Sequence, residues 1–143
     1  MKPIILLAGL GLATLTASAS PCTASEFSQP TADRYLEAEQ ALLREEDAQS
    51  AVAILTDLQT TDLNCYEEAS VHRMKAAALV EIKEYEAAIA ELKPVLSSGT
   101  LSASEKAKHA YNIGQLYLAM DDQESAQPYL DMSEKLKADS GEN

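Results

Sequence analysis

Apolar residues recur along this chain at helical spacing, and the spacing itself repeats. From residue 31, Tyr35, Ala38, Leu42 and Leu43 fall on one helical face before the charge run Arg44-Glu45-Glu46-Asp47, read as a solvated turn. Ala48, Ala51, Val52, Leu55 and Leu58 then line one side of a second helix. After a link over residues 60–64, Asn64 and Glu67 have the spacing of a capping box, and Val71, Ala78, Leu79 and Ile82 follow as a buried stripe. Lys83-Glu84 marks a turn into a helix carrying Tyr85, Ala88, Ile89, Leu92, Val95 and Leu96. Gly99 is expected to end it in the left-handed conformation. Ser102 and Glu105 form a second capping box before Ala107, Ala110, Ile113, Gly114 and Tyr117. Asp121-Asp122 turns the chain into a last helix ending near residue 138. Pro94 and Pro128 fall inside predicted helices, where each frees the carbonyl four residues back, so a kink or delay is expected at both.

Six helices in three pairs is the count, and the pairs are related. EDAQSAVAIL (46–55), KEYEAAIAEL (83–92) and DDQESAQPYL (121–130) align on Ala51, Ala88 and Ala126, which lie 37 and 38 residues apart. A unit of this length, polar at its start and Ala/Leu-rich at its end, marks a stacked helical hairpin. The predicted fold is all-α: an α-solenoid of about three antiparallel helix pairs over residues 31–138. A polar arm over residues 20–30 precedes it, and a frayed tail over 139–143 follows.

The first 19 residues read differently. Lys2 supplies a positive charge, residues 3–15 are apolar without an acid, and Ala17-Ser18-Ala19 places small residues where a signal peptidase reads. This predicts a signal peptide over 1–19, with an uncleaved anchor as the rival, and an exported protein, periplasmic or secreted and soluble after cleavage. No later segment approaches membrane-spanning length. The whole chain has a formal net charge of −12. Cleavage would remove only Lys2 from the charged set, and a surface this acidic repels phosphate backbones and anionic lipid, which excludes nucleic acid as an expected partner. Cys22 and Cys65 are the only cysteines. In an oxidising compartment an even pair predicts a disulfide between the arm and the link after the first hairpin. A lipoprotein reading of Cys22 is weaker, because Ser20-Pro21 fits a lipobox poorly.

Candidate chemistry is sparse. Glu68/His72 and Glu105/His109 each stand four apart on a helix face and could offer two metal ligands apiece. Against this, His72 is expected to face inward and Glu105 to cap its helix. The chain lacks a phosphate-cradling glycine loop, a nucleophile elbow and a Cys-His constellation. Its carboxylates cluster in turns, where solvation suffices. The expectation is a protein that is not an enzyme and uses no metal or cofactor.

The repeat resembles the tetratricopeptide repeat. Tyr111, Ile113, Gly114, Tyr117, Asp122, Ala126 and Leu130 match that family's aromatic, apolar and small positions. The second copy matches through Ala76, Leu79, Tyr85, Ala88, Ile89, Leu92 and Val95, and the first through Leu42, Ala51, Val52, Leu55 and Leu58. The copies depart from the family in lacking its closing proline and in their greater length, and Glu39 stands where a small residue is usual. The stretch from Leu101 to Ala107 is also similar to inter-repeat segments of bacterial envelope proteins in this family, some associated with TonB-dependent transport.

The resemblance implies a concave groove lined by the first helix of each pair: Leu36, Gln40 and Leu43 from unit one, Arg73, Ala77 and Val80 from unit two, and Lys108, Tyr111, Asn112, Gln115 and Leu118 from unit three. Arg73, Lys108 and Asn112 are its polar anchors for a peptide. Two functions stay open on these grounds. One is an envelope adaptor binding a peptide or helical segment of another envelope protein. The other is a structural module that self-associates through its repeat faces. A polar outer face, with Ser133 and Glu134 where unit two has Val95 and Leu96, is expected to cap the array and favour a monomer over a weak homo-oligomer.

Overall fold

The computed structural model describes residues 21–44 and 46–141. The predicted signal peptide and its cleavage site lie outside the described residues. The fold is all-α, with no strand among the described residues. Its helices are α1 (Gln29–Leu43), α2 (Ala48–Leu58), α3 (Cys65–Glu81), α4 (Tyr85–Ser97), α5 (Ala103–Ala119) and α6 (Gln123–Ser140). Short connections force each helix back along its predecessor, so α1 packs on α2, α3 on α4 and α5 on α6, while α2·α3 and α4·α5 contacts join the pairs.

The repetition seen in the sequence is present in the backbone. Glu46, Lys83 and Asp121 have φ of 52°, 62° and 60°, one in each hairpin turn and in register with the repeat. Each left-handed residue is followed by an N-cap with ψ of 64–78°. Asp47 and Asp122 complete the turn by accepting from the Ser50 and Ser125 amides at 2.9 and 3.0 Å. Glu84, with Ala87 in place of that serine, makes no such bond.

Small residues set the helix spacing. Ala51, Ala88 and Ala126 are fully buried. A Cβ on Gly114 would stand 2.6 Å from Leu130 Cδ2, so glycine lets α5 and α6 approach. The bulk of the core comes from Leu55, Val71, Val95 and Ile113, each essentially removed from water. Burying such a side chain contributes about 1.5–3 kcal/mol.

Both capping boxes form. Asn64 accepts from the Tyr66 and Glu67 amides while Glu67 receives the Asn64 amide at 2.9 Å; Ser102 and Glu105 do the same for α5. Pro94 and Pro128 do not interrupt α4 or α6. Both prolines, like Ala90 and Glu124, lie on solvent faces, where water can serve the freed carbonyls.

Several expectations are corrected. Gly99 is not left-handed; α4 ends through Ser98 in extended geometry, and Gly141 is the glycine with positive φ. Gly99 is small because the arm crosses it: a Cβ there would lie 2.9 Å from the Cys22 amide nitrogen. α1 starts at Gln29, two residues early, with Pro30 pre-organising its first turn, and α6 continues to Ser140. Ser133 is 1% exposed and packs inward like Val95, so of the two exchanged positions only Glu134 is exposed.

The arm has a defined course. Cys22 and Cys65 are joined by a disulfide with their Cα atoms 5.7 Å apart. Phe27 packs against the rings of Tyr35 and Tyr66 at 4.7 and 5.3 Å. Ser28 donates from both its amide and its hydroxyl to Glu67 Oε1 at 2.7 Å. Glu67 therefore caps α3 and anchors the arm. Burial would raise its carboxyl, but the bonds from Asn64 and Ser28 prevail and lower it.

Candidate functional site

No Cα of α3 comes within 8 Å of one in α5, although both helices pack against α4. A cavity of about 370 Å³ opens between them. Its floor is apolar, from Ala76, Ala77, Val80, Leu92 and Leu116, and its polar groups are Arg73, His109, Asn112, Gln115 and Glu81.

Of the groove residues that the resemblance implies, the structure brings Arg73, Ala77, Val80, Asn112 and Gln115 together here. The others stand elsewhere. Leu36 and Leu43 are 51% and 70% exposed on α1, and Gln40 lines a separate cavity against α2 with Ala53 and Ile54. Lys108, Tyr111 and Leu118 are exposed on α5 outside the cavity lining, and the Tyr111 ring carries Lys137 Nζ 5.3 Å from its centroid. The sequence reading chose equivalent positions in each unit. A space between two stacked units is instead bounded by unequal flanks, which is why His109 and Leu116 were missed.

Arg73 is the cavity's cation. Its Nη2 makes one long hydrogen bond to Ser70 Oγ at 3.4 Å, and its guanidinium has no ion pair among the described residues. His109 is half-buried, and its Nδ1 is fully buried without a hydrogen-bond partner. Burial, and then the Arg73 charge, push the imidazole below its ordinary range, so it is neutral near pH 7. Glu105 on α5 is held by the Ser102 amide at 2.8 Å, and its carboxyl is lowered first by the Ser102 hydrogen bonds and then by the Arg73 charge. A guanidinium with no carboxylate in salt-bridge contact, beside apolar surface, suits a ligand that supplies an anion and an aliphatic group.

No family model matches the chain, and no curated protein or solved structure matches it.

A second polar cluster lies on the opposite side of α3. Glu91 Oε2 is 2.6 Å from His72 Nδ1 and accepts from Gln59 Nε2 at 2.8 Å, while Oε1 accepts from Lys75 Nζ at 2.8 Å. Lys75 also donates to Gln59 Oε1 at 2.7 Å. Burial would raise the Glu91 carboxyl, but the hydrogen bonds from His72, Lys75 and Gln59 outweigh it and hold the group at about 2. The cluster joins the end of α2 to α3 and α4. Of the two Glu–His pairs, His72 Nε2 stands 4.0 Å from Glu68 Oε1. Among the described residues, no group of three or more His, Cys, Asp or Glu is arranged to hold a metal ion.

Proposed function

We propose that this protein is a non-enzymatic scaffold whose α3/α5 groove binds a segment of another protein. The observation that carries the reading is an unpaired Arg73 in a cavity with an apolar floor, on a chain of net charge −12. Partly burying a guanidinium without a salt-bridged anion costs free energy, and a ligand carboxylate offsets that cost. The finer fold reading is a short α-solenoid of the tetratricopeptide-repeat kind. The threefold sequence repeat and the matching turns at Glu46, Lys83 and Asp121 support it. Export to the cell envelope is supported by the leader-like first 19 residues and the Cys22–Cys65 bridge. The partner is then another envelope protein, and the Leu101–Ala107 likeness suggests a link to TonB-type transport.

Site-specific photocrosslinking in cells that make the protein tests this. A crosslinker at Ala77 should give a discrete heterologous adduct, and one at Gln127 on α6 should not. Equal adducts from both positions, or none from Ala77, would count against the groove. A second reading, self-association through repeat faces, is favoured by the exposure of Leu36 and Leu43 on α1. Light scattering separates the two: a concentration-independent dimer supports the second, and a monomer the first.

A further inference from the structure

We propose that the groove is polarised along its length and takes an extended segment of the form Glu-x-Leu-x-Lys, its acid at Arg73 and its base at Glu81. This rests on the reading that the groove docks a partner segment, and it names the chemistry of that segment. Arg73 and Glu81 line the same cavity eight residues apart on α3. At 1.5 Å per residue they are separated by about 12 Å along the helix axis. Between them lie Ala77 and Val80, with Leu116 facing from α5.

Neither end is closed by a salt bridge among the described residues, although the Glu105 carboxylate on α5 feels the Arg73 charge. Arg73 has no salt bridge, and the Glu81 side chain makes no hydrogen bond or ion pair among the described residues. The charge at the Glu81 end is reinforced, because an adjoining cavity is lined by Glu81, Glu46 and Asp47. On α5, Lys108 next to His109 adds positive charge toward the Arg73 end, against the Glu105 carboxylate that its own capping box holds. The acid in the ligand thus meets the cationic end, and the base meets the anionic one.

The spacing selects the ligand's conformation. In an extended chain, side chains at i, i+2 and i+4 point to one face, and i to i+4 spans about 13 Å. A carboxylate, an aliphatic group and an amine at those positions reach Arg73, the apolar floor and Glu81 together. In a helix, three groups on one face over the same distance would need about eight residues, with the aliphatic group in mid-span.

The test is a binding titration by fluorescence anisotropy with capped, dye-labelled heptapeptides having serine at the remaining positions. The full chain lacking residues 1–19 should bind Glu-x-Leu-x-Lys about tenfold more tightly than Glu-x-Leu-x-Glu or Lys-x-Leu-x-Lys. Glu81→Lys should transfer the preference to Glu-x-Leu-x-Glu, and Arg73→Glu should transfer it to Lys-x-Leu-x-Lys, with helical circular dichroism retained in both. Affinities that ignore the peptide charges, yet are abolished by Ala77→Arg, would overturn the polarity and leave groove docking standing. Binding untouched by Ala77→Arg would overturn both. A wild-type protein that binds none of the three peptides would overturn the inference.

Discussion

His72 Nδ1 lies 2.6 Å from Glu91 Oε2 and ties α3 to α4 on the side away from the groove. The same carboxylate is held by Lys75 and Gln59, so α3, α4 and the C-cap of α2 share one anion. The arrangement ties α3 to α4, which also packs against α5.

The Glu91 cluster predicts acid sensitivity. Its carboxyl is lowered from an ordinary 4.5 to about 2 in the folded chain, so its stabilisation is complete above about pH 4.5 and lost as pH falls through 2. Chemical denaturation should show Glu91→Gln to be less stable than wild type by roughly 1–2 kcal/mol at pH 7, allowing for solvent screening. The difference should shrink below pH 4. A gap that is constant with pH would contradict the assignment.

Gly99 should not tolerate a methyl group. The Cβ of alanine would meet the Cys22 backbone nitrogen at 2.9 Å, and backbone yields less readily than a side-chain tip. Gly99→Ala should cost about 1–2 kcal/mol by thermal denaturation. The penalty should fall when Cys22→Ser and Cys65→Ser release the arm, whereas an unchanged penalty would place the strain elsewhere.

Loss of the disulfide should be felt globally. The bridge closes a 43-residue separation, and the Cys22→Ser, Cys65→Ser pair should lower stability by about 3–4 kcal/mol on the chain-entropy model. Denaturant titration of both forms measures it. Equal midpoints would show that Phe27 and Ser28 hold the arm without the bridge.

Lys83→Gly should stabilise the chain. Lysine at φ 62° pays a left-handed penalty that glycine does not, and glycine's extra unfolded-state entropy offsets part of the gain. A net rise of about 0.5–1 kcal/mol is expected. Asp121→Gly should gain less, because aspartate tolerates that conformation better. A loss at Lys83 would mean its side chain contributes contacts of its own.

The sequence made the helices legible because their signals are local. Apolar periodicity, the Asn64/Glu67 and Ser102/Glu105 boxes, and the recurring Ala51, Ala88 and Ala126 each specify an element within one turn or one repeat. What remained hidden depends on distant chain segments meeting. Nothing near Gly99 announces that Cys22 passes over it, and nothing near Glu67 announces Ser28. Ser133 looked like a surface residue because serine is polar, yet its place on α6 is the one Val95 fills on α4. The groove was half legible: Arg73, Ala77 and Val80 follow from the repeat. His109 and Leu116 lie on the flank of α5 that turns toward the previous unit, and Glu81 lies one turn beyond Ala77.

The most direct test of the central claim is amide chemical-shift mapping on the isotope-labelled chain with a peptide selected on it from a random display library. Groove docking predicts perturbations centred on Arg73, Ala77, Val80, Asn112 and Gln115, and their disappearance in Ala77→Arg. Shifts confined to α2, α4 or α6, or a pattern identical in Ala77→Arg, would contradict it.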